Sequence, residues 1–248
     1  MSALTGRVVL VTGGSRGIGK ATVEAAHRDG AEVVVHYGRN EGAARALAES
    51  LSSRVHLVTG DLLAPGEADR VWDRAVAAAG RVDVLVNNAG AWIASSLDDS
   101  ADWREGWAQN LQLNLQAPAD LCRSAIRHFR ERNGGGIIVN VASRSSHRGD
   151  DAEHLAYGAA KGGLLALTKG IARGCAKDGV LAFAVAPGWV ATDIAAEDPA
   201  NADLAATLPL GEITPASDVA EMIVFLASGR SRHTTGATID ITGADYVR

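Results

Sequence analysis

The chain has 248 residues, of which 47% are hydrophobic and 21% charged. That balance supports a sizeable core and excludes bulk disorder. A formal net charge of -5 with no basic run argues against nucleic-acid binding. Cys122 and Cys175, far apart and without a CxxC partner, suit neither a zinc site nor a disulfide framework.

The N-terminal stretch MSALTGRVVLVTGG has no basic n-region and no cleavage site. No apolar run approaches the ~18 residues needed to span a bilayer. A soluble cytoplasmic protein with no membrane partner is therefore expected.

Short β-branched runs alternate with Ala-rich stretches from end to end. Strands are predicted over 7–12, 32–37, 54–59, 82–87, 136–142, 180–186 and 238–241, helices over 19–28, 42–51, 66–79, 103–131, 154–176 and 217–227. The strands read as continuous apolar runs (VVLV, VVV, VLV, IIV), the mark of burial on both faces. Gly30 and Gly80 follow helices where a left-handed terminal residue is wanted. The expectation is an α/β class protein: a single-domain Rossmann fold over 1–248, with a doubly wound, seven-stranded parallel sheet and helices on both faces. Residues 192–214 show no clear pattern. Placed after a strand end, the stretch from about 189 to 214 reads as a lid over a ligand site.

The first strand runs into Thr12-Gly13-Gly14-Ser15-Arg16-Gly17-Ile18-Gly19 and then a helix. Glycines there let the backbone approach a pyrophosphate at a helix N-terminus, although a tight turn without ligand has the same look. Farther on, Tyr157 and Lys161 stand four residues apart, one helical turn, so that a cation could assist a phenol in proton transfer. Chance also produces that spacing in surface helices.

The motifs together are specific. TGGSRGIG at 12–19, Asn87-Asn88-Ala89-Gly90, Tyr157-xxx-Lys161 and Pro187-Gly188 occur in the order of the short-chain dehydrogenase/reductase family, which the whole chain resembles. The SRGIG and VAPGW stretches are similar to those of 3-oxoacyl-[acyl-carrier-protein] reductases. The resemblance implies a nicotinamide-dependent interconversion of carbonyl and alcohol, with a catalytic tetrad of Asn114, Ser143, Tyr157 and Lys161. Asn110 competes for the first role and Ser145 and Ser146 for the second. It also implies a small-molecule carbonyl or alcohol substrate and a homotetramer, or a dimer, built on the helices near 103–131 and 154–176.

Cofactor contacts carried over by the resemblance are Gly13, Ser15, Arg16, Gly17, Ile18 and Gly19 in the turn, and Asn87, Ala89 and Gly90 along the adenosine side. Pro187, Gly188, Val190 and Thr192 would close over the nicotinamide, with Tyr157 and Lys161 beside it. Asp61, with Leu62 next to it, either contacts the adenine or caps the following helix. An enzyme that prefers NAD ends its second strand in an acid, where this chain has Tyr37. Arg16 and Arg39 could instead clamp a 2′-phosphate, so NADP(H) is favoured over NAD(H), unless both are ordinary surface charges. Trp92, Trp189 and Arg144, with Arg148 nearby, suggest a substrate pocket beside Ser143 and Tyr157 with aromatic walls and a cationic rim. The alternative is that the tryptophans pack the lid and the arginines are solvated.

Overall fold

The computed structural model describes residues 2–191 and 200–248, the side chains of 200–202 excepted. A parallel sheet organises it. Seven strands, β1 (Val8–Val11), β2 (Glu32–Tyr37), β3 (Val55–Thr59), β4 (Val84–Asn87), β5 (Gly136–Val141), β6 (Val180–Pro187) and β9 (Thr238–Ile241), lie in the order β3-β2-β1-β4-β5-β6-β9. The chain works outward from β1 to β3 and then returns to place β4 on the other side of β1. That reversal opens a crevice at the C-terminal ends of β1 and β4, where ligands bind in open α/β sheets.

Both faces of the sheet are covered, and alternate residues of each strand serve opposite cores. Val9, Val11, Val33, Val35, Val84 and Val86 face the layer formed with α1 (Gly17–Arg28), α2 (Glu41–Leu51) and α9 (Ala216–Ala227). Val8, Leu10, Val34 and Leu85 face α3 (Glu67–Ala79), α5 (Ala117–Glu131) and α7 (Leu155–Cys175). The register is continuous across the centre, with Val9 opposite both Val33 and Val84. Among the described residues no helix is long and apolar enough to cross a membrane.

The structure differs from the sequence pattern in three places. The helix expected over 103–131 is α4 (Ser100–Leu111), then a π-helical turn at Gln112–Gln116, then α5. Pro118 explains the break: it has no N–H to donate to the preceding turn. The helix widens there, and the Ala117 N–H reaches Gln112 O. A short helix, α6 (Ser145–Arg148), follows β5. The patternless stretch 192–214 contains α8 (Ala200–Thr207), flanked by a two-stranded ribbon of β7 (Val190–Ala191) and β8 (Thr214–Pro215). ANADLAAT has strong helix formers but no apolar stripe, so periodicity could not mark it. Thr192 lies outside the described residues.

Magnitudes separate what holds this fold from what decorates it. Phe129 is fully buried, with Trp72 edge-on at 6.4 Å. Arg28 grips Glu221 through two hydrogen bonds of 2.7 and 3.0 Å, but both side chains are more than half exposed. Phe129→Ala should cost about 3–5 kcal/mol and Arg28→Ala about 1 kcal/mol or less, read by urea denaturation. Equal losses would show that this core is less tightly packed than described.

Candidate active site

The glycine turn is stitched to β4 by side chains. Thr12 Oγ1 accepts the N–H groups of Asn88 and Ala89, each at 3.0 Å, and Asn88 Nδ2 donates to Thr12 O at 2.8 Å and Gly13 O at 3.1 Å. A Cβ on Gly19 would lie 2.1 Å from Gly13 O, so only glycine lets helix and turn meet this closely. On the other side His36, buried in β2, accepts the Gly13 N–H at Nδ1 (3.1 Å) and donates from Nε2 to Gly60 O (2.9 Å). That pairing fixes the neutral tautomer, and burial holds its pKa down.

The N-terminus of α1 is left open. Its N-cap residue, Arg16, makes no side-chain cap, and its first turn has no acid. The uncapped N–H groups at the start of α1, at Gly17 and Ile18 with Ser15 beside them, form a ready anion site. The residues present therefore fit the pyrophosphate of a dinucleotide cofactor.

The four predicted catalytic residues converge at the ends of β4 and β5. Lys161, 4% exposed, donates from Nζ to Val141 O at 2.8 Å. Burial pushes its pKa down to about 8. A Cβ on Gly90 would meet Asn114 Oδ1 at 2.8 Å and Lys161 Nζ at 3.2 Å, so these groups flank one bare backbone position. The π turn aims Asn114 inward. Its Nδ2 donates to Ala91 O (3.0 Å) and to Asn110 Oδ1 (3.1 Å), and its Oδ1 accepts the Ala91 N–H (3.3 Å). Asn110 instead donates to Ile93 O and Gly106 O, one turn farther from Lys161. Ser143 Oγ accepts the Ser145 N–H at 3.1 Å and stands near enough to the Tyr157 phenol to oppose the rise in its pKa, whereas Ser146 Oγ caps the Ser143 N–H at 3.2 Å.

The electrostatics depart from expectation at one point. Lys161 Nζ stands 5.8 Å from the Tyr157 ring centre, yet burial raises the phenol's pKa, with Ser143 opposing and Asp150 adding to the rise. A lysine that titrates near 8 has lost its charge before such a phenol can ionise. The cofactor-free site therefore holds Tyr157 protonated rather than activated.

Other predicted positions sort clearly. Asn87 does not line the groove: its Nδ2 donates to Asn140 Oδ1 at 2.9 Å inside the core, where it steadies the central strands. Asn140 goes on to donate to Thr168 Oγ1 at 2.8 Å. Leu62 is likewise a core side chain. Asp61 does not cap α3, whose N-cap is Gly66; it accepts the Leu63 N–H (3.1 Å) and pairs with Arg39 (3.3 Å). Ala89 is half-buried beside Thr12, and Tyr37 is half-buried at the end of β2. Arg16 and Arg39 are both exposed. Pro187 is buried and accepts the Arg144 N–H at 3.0 Å, the Gly188 N–H reaches Ile241 O at 3.0 Å, and Val190 sits in the ribbon.

The cationic rim is corrected. Arg144 is 6% exposed, ion-paired with Asp245 and stacked over Trp189 at 4.8 Å, so it does not face a substrate as a free cation. Trp92 and Trp189 do stand at the mouth, edge to face at 6.1 Å. The sequence reading missed Thr12, Asn88 and His36 as supports of the turn, and Asp150 beside Trp92. The second Asn of NNAG and a lone His in a Val-rich strand were the only signals.

Burial of Lys161 leaves a pH signature. Between pH 8 and ~10.4 the unfolded chain keeps this proton and the folded site does not, so stability rises with pH across that window. Below it both forms are protonated and the destabilisation is complete. The stability of the wild type relative to Lys161→Met should therefore increase from pH 8 to 10 in urea melts. A flat difference would mean that the ammonium is solvated.

Comparisons with known proteins agree with this geometry. A family model described as enoyl-(acyl carrier protein) reductase matches residues 13–243. L-rhamnose 1-dehydrogenase (NAD(P)(+)) of Azotobacter vinelandii is 36% identical over 256 residues, covering 98% of each chain. The 3-oxoacyl-[acyl-carrier-protein] reductase of Escherichia coli is 32% identical over 244 residues, again covering 98% of each. The crystal structure of an acetoin dehydrogenase from Salmonella typhimurium superposes with a TM-score of 0.87 at 28% identity, covering 96% of this chain and 94% of that one. A glycine turn at an open helix end, a phenol beside a serine and a buried lysine, and full-length likeness to named dehydrogenases and reductases lead to one conclusion: the chain belongs to the short-chain dehydrogenase/reductase family and is an oxidoreductase acting on alcohol and carbonyl groups.

Proposed function

We propose an NADP(H)-dependent enzyme that interconverts a carbonyl and a secondary alcohol, with Tyr157 as the acid/base. The observation that carries this is the meeting of Tyr157, Ser143 and Lys161 at the crevice beside the open N-terminus of α1. The bound nicotinamide supplies or accepts the hydride. Tyr157 Oη gives its proton to the carbonyl oxygen in reduction and takes it from the alcohol in oxidation. Ser143 Oγ hydrogen-bonds the same oxygen as charge develops on it. Lys161 would hold the ribose hydroxyls of the bound cofactor, and its ammonium, still largely protonated near neutral pH, favours the phenolate while a proton is in transit. Asn114 fixes the water through which Lys161 exchanges protons with solvent. Its hold on Ala91 keeps the Gly90 backbone against that lysine.

The preference for NADP(H) rests on the end of β2. Tyr37 stands where an acid would repel a 2′-phosphate, and the exposed Arg16 and Arg39 are free to turn toward one. The Arg39–Asp61 pair does not prevent this, because an exposed pair at 3.3 Å is worth about 1 kcal/mol or less. NAD(H) use is the second reading, favoured by the NAD(P)-linked relative. The relatives' names span a sugar, an acyl thioester and acetoin, so they do not choose the substrate. We further infer a cytoplasmic homotetramer; Leu111 and Leu155, exposed at 39% and 40% at the ends of α4 and α7, are the apolar surface that such an assembly would cover.

Tyr157→Phe should lower kcat by about 10²–10⁴-fold while NADPH binding, followed by fluorescence, stays within experimental error. Retained turnover would remove Tyr157 from the chemistry. Arg16→Ala and Arg39→Ala should each weaken NADPH by about tenfold or more and leave NADH nearly unchanged. A wild-type kcat/KM that favours NADH would contradict the cofactor assignment.

A further inference from the structure

The mouth of the site holds two indoles and a carboxylate that proton transfer does not use. Trp92 is 49% exposed and Trp189 38% exposed. The His154 ring covers one face of Trp92, stacked at 3.6 Å and 14°. Trp92 Nε1–H donates to Asp150 Oδ2 at 3.3 Å, and Asp151 Oδ1 holds His154 Nδ1 at 2.7 Å. The indole is thus held in place, with His154 on one face and about half of its surface still exposed.

Asp150 is joined to the reacting centre through two hydrogen bonds. Ser145 Oγ donates to Asp150 Oδ2 at 2.7 Å, and the Ser145 N–H donates to Ser143 Oγ at 3.1 Å. Its other oxygen accepts the Asp151 N–H at 3.0 Å. An ionised carboxylate offers about four acceptor sites, so Asp150 can still take a hydroxyl hydrogen. As an acceptor only, it selects a donor. The segments that carry Trp92 and Asp150, 92–105 and 148–154, are tied by the Ser95 N–H to Glu153 O at 2.6 Å and hold seven carboxylates against Arg104 and Arg148. That excess of acid disfavours a phosphate-bearing acyl carrier. A purely apolar substrate would leave the remaining acceptor site of Asp150 unused.

We propose that the substrate is an uncharged polyhydroxylated compound, a sugar or polyol, with its C–H face on Trp92 and a hydroxyl neighbouring the reacting carbon donating to Asp150. In the oxidative direction the reacting C–H gives its hydride to oxidised nicotinamide dinucleotide and the hydroxyl its proton to the Tyr157 phenolate, which has first released its own proton to solvent, leaving a carbonyl. This rests on the oxidoreductase reading above and names its substrate class.

The test compares kcat/KM for xylitol, D-glucose and cyclohexanol with NADP+ and NAD+, and for acetoacetyl-CoA reduction with NADPH. The better polyhydroxyl compound should exceed cyclohexanol by at least tenfold. Asp150→Asn should lower that ratio by about 10- to 100-fold. Any effect of the Asp150 charge on Tyr157 is common to both substrates and cancels in the ratio. Trp92→Ala leaves the Ser143–Ser145–Asp150 chain in place and should lower the same ratio. Turnover of cyclohexanol or acetoacetyl-CoA with a ratio unmoved by either variant, or acetoacetyl-CoA as the best substrate, overturns this proposal alone. No turnover of any compound overturns the oxidoreductase reading with it.

Discussion

A lysine ammonium buried at the end of the central strands of a parallel sheet is the constraint on which the site depends. Lys161 has one hydrogen-bonded partner among the described residues, Val141 O, and almost no water. A cation in that position is destabilising, and the depressed pKa measures by how much its neighbours fail to compensate. The surrounding sequence makes room for it. Gly90 must lack a Cβ, Asn114 must turn inward through a π bulge, and Gly162 and Gly163 keep α7 narrow where it meets α6 and the π turn. A site that tolerates this strain against solvation is one in which the charge has work to do when ligands arrive.

The sheet explains why the charge sits there. Strands buried on both faces leave polar side chains only at their ends, and the reversal of strand order between β1 and β4 separates two of those ends. Thr12, Asn88 and His36 convert that gap into a rigid cradle by tying the glycine turn to both neighbouring strands. Cradle and proton-transfer groups meet on the segment that leaves β4: Asn88 holds the turn, and two residues later Gly90 lies beside Lys161. Cofactor cradle and acid/base are thereby tied to one short segment.

Local pattern revealed most of the architecture. Apolar strand runs and glycine spacing marked the sheet and the crevice, because parallel strands and anion-binding turns write their needs into adjacent residues. What local pattern missed depends on partners distant in sequence. Arg144 reads as a free cation until Asp245 folds back upon it. Asn87 reads as part of a cofactor motif, but Asn140 draws its side chain into the core. Asp150 looks like a loop acid, and only the folded chain brings Trp92 and Ser145 to it. The Tyr157–Lys161 spacing was legible at once, whereas the order in which they titrate was not, because burial is a property of the fold.

That order is the central claim and can be read directly. Ultraviolet difference titration of the wild type against Tyr157→Phe isolates this one phenol. Without cofactor it should ionise above the ordinary tyrosine value of ~10, since burial outweighs a lysine already discharged near pH 8. Saturating NADP+, whose oxidised nicotinamide would add positive charge to the crevice, should bring it down by more than about one unit. A phenol that ionises well below its ordinary value in the free protein, or one that NADP+ leaves unmoved, would contradict the account.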